Sequence, residues 1–220
     1  VYIVYRRTRK EMPANEVEIV ASEHEGIKFQ FLAAPTRVID DGEGMSAEDA
    51  VLALERHATS KIRCSDDLTN IGTLGFRGEA LPSISSVSRL TLTTKPQGEV
   101  AGTTIVAVPG EPLDVKPAGT PEGTRIEVRD LFFNTPARKK FLKSQSTETA
   151  RITELVTKLA LCSPRVAFNL VRNGKTLRSY LARTDLTERV HEVVGKKVTL
   201  KESSGGIGPV RVEAWLTGPD

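Results

Sequence analysis

The chain has 220 residues, 39% of them hydrophobic and 27% charged, with a net charge of +3. That length can bury a core as one domain, or as one domain plus part of another, and the weak charge permits a nucleic-acid partner without demanding one. No apolar run nears the ~18 residues of a membrane span, and the scattered His24, His57 and His191, with Cys64 and Cys162, offer no metal-ligand spacing.

Val1 to Tyr5 is apolar, but it precedes Arg6-Arg7 and is too short for a signal-peptide core. A chain that opens without Met is expected to be a fragment. Residues 16–21 set Val17 and Ile19 against Glu16 and Glu18, the alternation of a strand. Residues 37–39 read as a second strand that runs into Asp40. Ser46 with Asp49 three residues on forms a capping pattern, and Ala47, Ala50, Val51 and Leu54 share one face of a helix ending near His57. Residues 61–73 are polar and irregular and read as a mobile loop. Strands are expected over 89–94, 103–108 and 125–129, with a Pro/Gly-rich loop at 109–123. Ile152, Leu155, Val156 and Leu159 follow helical spacing, which Pro164 ends. Asn173-Gly174 between 166–171 and 176–180 signals a hairpin with a type I′ turn. Residues 186–194 read as a helix, 203–209 as a flexible connection and 210–216 as a strand. There is no internal repeat. Strands and helices do not alternate strictly, and both GxGxxG and GxxxxGK[ST] are absent, so a Rossmann sheet and a P-loop are disfavoured.

Three glycine-punctuated or polar segments suit a nucleotide. In Asp40-Asp41-Gly42-Glu43-Gly44 a carboxylate can accept from an exocyclic amine while the glycines let a flat ring meet bare backbone. Read alone, the same residues make an ordinary strand-to-helix turn; calcium-loop spacing is missing. Thr59, Ser60 and Lys61 offer hydroxyls and an ammonium to phosphate oxygens, or simply end a helix. Leu74-Gly75-Phe76-Arg77-Gly78-Glu79 places glycines before an apolar run, so backbone N–H groups could face an anion. Gly123-Thr124 opens a strand, where the hydroxyl of Thr124 could complete base recognition or merely favour β structure. Arg138, Lys139, Lys140 and Lys143 lie beside Phe132, Phe133 and Phe141. They read as a DNA contact or as a solvated helix start.

In order and wording, residues 40–44, 57–62, 73–81, 84–88 and 123–141 resemble the MutL family of DNA mismatch-repair proteins, and the likeness extends over roughly 15–220. Gyrases, heat-shock chaperones and histidine kinases share only the outline of the glycine turns. The resemblance implies a GHKL-type ATPase domain of α+β class: a two-layer sandwich, with helices on one face of a mostly antiparallel mixed sheet. It implies residues 1–195 as that domain and 196–220 as a linker plus the first strand of a second domain. On this pattern Asp40, assisted by Thr124, bonds the adenine amine, and Gly42 and Gly44 line the base pocket. Thr59, Ser60, Lys61 and the backbone of Leu74, Gly75, Phe76, Arg77, Gly78 and Glu79 hold the phosphates under a lid at 63–72. ATP or ADP with Mg2+ is the implied cofactor. Implied partners are DNA, a mismatch-recognition protein, a downstream nuclease or helicase, and a second subunit in an ATP-dependent homodimer or heterodimer. No membrane partner is implied.

Residues 1–40 depart from the family pattern, which places a Glu general base four residues before an Asn magnesium ligand on a helix. Glu11 and Asn15 have that spacing, and are the candidate base and metal ligand. Pro13 between them would cost about 3 kcal/mol inside a helix, so no catalytic residue is assigned. A nucleotide-gated adaptor with little hydrolysis is therefore the alternative expectation to an ATP hydrolase. Residues 30–36 read as an insertion.

Overall fold

The computed structural model describes residues 2–5, 28–31, 37–58, 77–195, 198–207 and 210–217. The chain divides into two compact units, Val1–Leu142 and Lys143–Asp220. The expected strand at 16–21, the lid at 63–72 and the candidates Glu11 and Asn15 lie outside the described residues, as does Cys64.

In the first unit, β1 (Tyr2–Tyr5) pairs in parallel with β2 (Lys28–Phe31). The main sheet contains β3 (Arg37–Asp40), β4 (Arg89–Lys95), β5 (Gly102–Ala107), β6 (Asp114–Ala118) and β7 (Gly123–Arg129). Their order is β3-β7-β4-β5-β6, with every pair antiparallel. Alternation decides the two faces. Leu90, Leu92, Ile105, Ala107 and Val128 point inward and are buried with Ala50 and Leu54. Burying each of the larger ones contributes about 1.5–3 kcal/mol. Helix α1 (Ala47–Leu52) supplies Ala50. Ser46 caps it by accepting from the Asp49 N–H at 3.1 Å, as the capping pattern predicts. The regular helix stops at Leu52, short of His57, and turns fill the interval. Helix α2 (Ala80–Ser85) leads into β4 and packs Leu81 and Ile84 on the same core. This is the two-layer α+β architecture expected, with helices on one face.

The sheet differs from expectation at β6, which occupies part of the stretch read as a loop. It is an edge strand among the described residues, and that position tolerates Pro117 because one row of its backbone groups has no ladder partner there to lose.

The opposite face of the sheet is polar. Glu127 faces outward on β7, 11% exposed, and collects the guanidinium groups of Arg37 at 3.1 Å, Arg129 at 3.1 Å and Arg125. The Arg125 hydrogen bond holds the Glu127 carboxyl below the usual carboxylate range. The Arg129 hydrogen bond and the charges of Arg125 and Arg37 add to this, and burial opposes it. A carboxyl depressed in the folded state contributes stability above its unfolded pKa of about 4.3 and loses it as pH falls through the folded value. Glu127→Gln is expected to lower stability by about 1–2 kcal/mol at pH 7, because three arginines then face no anion. The variant should also flatten the acid limb below about pH 4.3, which thermal melts of both proteins against pH would read.

Two short elements close the first unit. Phe132 takes φ 64°, donates its N–H to the Val87 carbonyl at 2.7 Å and is buried in the core. Helix α3 (Pro136–Lys139) follows.

In the second unit, α4 (Gln145–Cys162) is capped by Ser144, which accepts from the Thr147 N–H at 3.3 Å. The hairpin of β8 (Phe168–Arg172) and β9 (Lys175–Tyr180) turns at Asn173 and Gly174, with φ 49° and 75°, the type I′ geometry expected. Helix α5 (Leu186–Val194) starts at Asp185, whose carboxylate accepts from the Thr187 N–H at 2.9 Å. Its Arg189 is wholly buried and donates to the carbonyls of Pro164, Val166 and Leu181. Finally β10 (Leu200–Ile207) pairs antiparallel with β11 (Val210–Thr217). The Ser/Gly run expected to be a flexible connection is thus strand, held by its ladder to β11. Cys162 is a free, exposed thiol. No helix of the described residues is long and apolar enough to cross a membrane.

Candidate functional site

Three strands bring the base-site candidates together. Asp40 ends β3 opposite Thr124 of β7, and Thr124 in turn lies opposite Thr94 of β4. Asp40 Oδ1 accepts from the Gly42 N–H at 3.0 Å, closing the turn upon itself. Its other carboxylate oxygen has no protein partner among the described residues. The side chain is exposed, so that oxygen is available to an amine.

The glycines have specific reasons to be there. A Cβ on Gly44, at φ 70°, would lie 2.0 Å from the Lys95 carbonyl oxygen. A Cβ on Gly123, at φ 103°, would lie 2.2 Å from the Asp40 carbonyl oxygen. Both are impossible contacts, and both backbones are in the region that L side chains avoid. Gly42 is milder: its Cβ would meet Asp40 Oδ1 at 2.9 Å. Residues 40–44 therefore lie directly on the ends of β4 and β7, with nothing but backbone between.

Thr94 joins these pieces, a part the sequence reading missed. Its hydroxyl is fully buried. It accepts from the Met45 N–H at 2.9 Å, donates toward the Gly123 carbonyl at 3.1 Å and lies 3.2 Å from Thr124 Oγ1. The available signal was its place in the alternation of 89–94, on the inward face with Leu90 and Leu92, where a hydroxyl must find partners.

The phosphate candidates are only partly described. Thr59, Ser60, Lys61, Leu74, Gly75 and Phe76 lie outside the described residues. Arg77, Gly78 and Glu79 are described. Gly78 has φ 57°, and a Cβ there would lie 2.0 Å from the Ala58 carbonyl oxygen. His57 Nδ1 stands 3.3 Å from Glu79 Oε1. The chain entering the first phosphate segment and the chain leaving the second are thereby held against each other.

Arg138 and Lys139 lie in α3 and Lys140 caps it, while Lys143 opens the second unit. Lys139, Lys140 and Lys143 are exposed. The aromatic neighbours do not form one platform: Phe132 is core, and Phe133 carries the Arg89 guanidinium 4.8 Å from its ring centre. Among the described residues no group of three His, Cys, Asp or Glu could hold a metal ion.

Comparison with known proteins decides the family. Residues 12–108 match the family model of the histidine kinase-, DNA gyrase B- and HSP90-like ATPases. The DNA mismatch repair protein MutL of Geobacter sulfurreducens is 56% identical over 186 residues, which is 84% of this chain and 30% of that protein. That of Geotalea uraniireducens is 52% identical over 216 residues, 96% of this chain and 35% of that protein. This chain belongs to the MutL family. Within it the chain is an N-terminal GHKL ATPase domain, as the Aquifex aeolicus MutL ATPase domain complexed with ADP indicates. That structure superposes with a TM-score of 0.63 at 32% identity, covering 84% of this chain and 65% of its own. The MutL-family chain described here spans about a third of the length of those relatives.

Proposed function

We propose that this domain binds ATP or ADP, with the base against Asp40 and Thr124, and hydrolyses ATP within a DNA mismatch-repair protein. Nucleotide state would govern dimerisation and the engagement of DNA and repair partners. The observation that carries the reading is the juxtaposition of Asp40 and Thr124 across β3 and β7, held by the close backbone approaches at Gly44 and Gly123. An ionised carboxylate only accepts, so it suits the amine of adenine, while a hydroxyl can donate to the ring nitrogen beside that amine. The ADP complex of the Aquifex aeolicus domain supports the same ligand class.

For the phosphates we assign Thr59, Ser60 and Lys61, with the backbone from Leu74 to Glu79. Mg2+ would neutralise charge on the phosphates, with Asn15 the candidate ligand and Glu11 the candidate base. Arg138, Lys139, Lys140 and Lys143 are the proposed DNA contacts, and their loss should reduce the salt dependence of DNA binding. Residues 1–195 as the ATPase domain and 196–220 as a linker with the first strand of the next domain remain part of this proposal. So does an intracellular location.

Asp40→Asn tests base recognition. The amide oxygen can still accept from Gly42 N–H, so the fold should persist. The amide NH2 would face the adenine amine, and ATP affinity should fall at least about tenfold, or ~1.4 kcal/mol. Calorimetric titration with unchanged affinity would sink the assignment. Pro13, between Glu11 and Asn15, favours a second reading, a nucleotide-gated adaptor that turns over little ATP. Steady-state phosphate release, with and without Glu11→Ala, separates the two. No turnover leaves the adaptor, and turnover indifferent to the change removes Glu11 as base.

A further inference from the structure

The hydroxyl of Thr94 has a position that the nucleotide reading does not use. We infer that Thr94 is a positioning residue for base selection: one buried hydroxyl ties the Asp40 turn to the Thr124 strand, so that the two groups facing the base keep a fixed separation. This rests on the nucleotide reading and deepens it.

Asp40 and Thr124 are cross-strand partners, and the turn that follows Asp40 has a further anchor. The turn after Asp40 reaches the sheet through the Met45 N–H, which donates to Thr94 Oγ1 at 2.9 Å across 49 residues of sequence. The β7 end reaches the same oxygen twice, through the Gly123 carbonyl at 3.1 Å and through Thr124 Oγ1 at 3.2 Å. One atom therefore makes three contacts on the two sides of the site. A hydroxyl has one hydrogen and two lone pairs. With Met45 N–H occupying one lone pair, Thr94 can send its hydrogen to the Gly123 carbonyl and accept from Thr124. Alternatively it can send the hydrogen to Thr124, which frees the Thr124 hydrogen to donate outward. Thr94 thus permits Thr124 to act as a donor or as an acceptor while its own place stays fixed. The carboxylate of Asp40 has no such freedom. Selection for a base bearing an amine then depends on holding the rigid acceptor and the adaptable hydroxyl at one spacing.

Burial supports a positioning role over contact with ligand. Thr94 is wholly inaccessible, so its effect must pass through Met45 and Thr124. On β4 itself no other hydroxyl shares that face: Leu92 and Leu90 continue it, and Lys95 faces the other way.

The test compares ATP with its analogue lacking the 6-amino group, using the full chain and calorimetric or competition binding. Wild type should prefer ATP. Thr94→Val, which keeps the shape and loses the hydroxyl, should reduce that preference at least about fivefold, and Thr94→Ser should restore it. A purely structural role would weaken both ligands alike and leave their ratio unchanged, which would overturn the inference. If wild type itself shows no preference, the assignment of the base to Asp40 fails first, a distinguishable result. If Thr94→Val does not fold, Thr94→Cys serves, since a thiol is a poor donor and acceptor. Its preference should fall at least about threefold below that of Thr94→Ser, and equality of the two would overturn the proposal.

Discussion

Gly123→Ala is expected to destabilise the first unit by about 2–4 kcal/mol and to weaken nucleotide binding at least tenfold. Two costs combine. The backbone at φ 103° is one that alanine adopts only under strain, about 1–3 kcal/mol. The new Cβ would also sit 2.2 Å from the Asp40 carbonyl oxygen and 3.0 Å from the Asp40 carbonyl carbon and the Asp41 Cα. These are backbone atoms and cannot swing aside, so β3 must move away from β7 where Asp40 faces Thr124. Gly110→Ala isolates the first cost, since Gly110 has φ 86° but open space around it. Urea denaturation of the two variants should show Gly123→Ala the worse. Equal losses would mean that the close approach relaxes freely.

Arg189→Met should be the most damaging single change in the second unit, at about 3–5 kcal/mol. Replacing a buried ion pair with apolar groups can be neutral, but here the principal acceptors are the backbone carbonyls of Pro164, Val166 and Leu181, which no mutation removes. Glu192, 3.5 Å from Arg189 Nε, would lose a partner as well. All three bonds come from one nitrogen, Nη2, so Arg189→Lys, which keeps a single charged donor, should recover part of the loss. Trp215 gives the readout. It is the chain's one tryptophan, and it donates to Thr187 Oγ1 at 3.3 Å on the helix that carries Arg189. Its fluorescence should report an early transition in urea for Arg189→Met, while probes of the first unit stay near the wild-type midpoint. Coincident, unshifted transitions would remove Arg189 from this role.

Local signals made much of this legible. The cap at Ser46, the Asn173-Gly174 turn and the helix Leu186–Val194 all depend on neighbours within a few residues, and each formed as expected. Alternation found β4, β5 and β7 because one face of each is buried. Strands whose partners supply the stability were harder to read. Pro117 disguised β6, and the run Ser203-Ser204-Gly205-Gly206 disguised β10, where pairing with β11 overrides poor strand propensity. Asp40, Gly44 and Thr124 stand out as candidates from their motifs. Thr94 does not, since its partners lie 30 and 49 residues away. Phe132, at positive φ and buried, donates its N–H to the distant Val87 carbonyl, a contact that no local signal marks.

The order β3-β7-β4 has a consequence for how the molecule comes to exist. Every strand pairing in the candidate base site is non-local, so none can form until β7 has found its neighbours. A slip of one residue in β7 would turn Thr124 away and present Arg125 in its place. A sheet that is compact but misregistered would keep its hydrogen bonds, yet would lack the Asp40–Thr124 pair proposed to hold the base. Nucleotide binding during refolding would therefore count correctly threaded molecules, separating them from those that have merely collapsed.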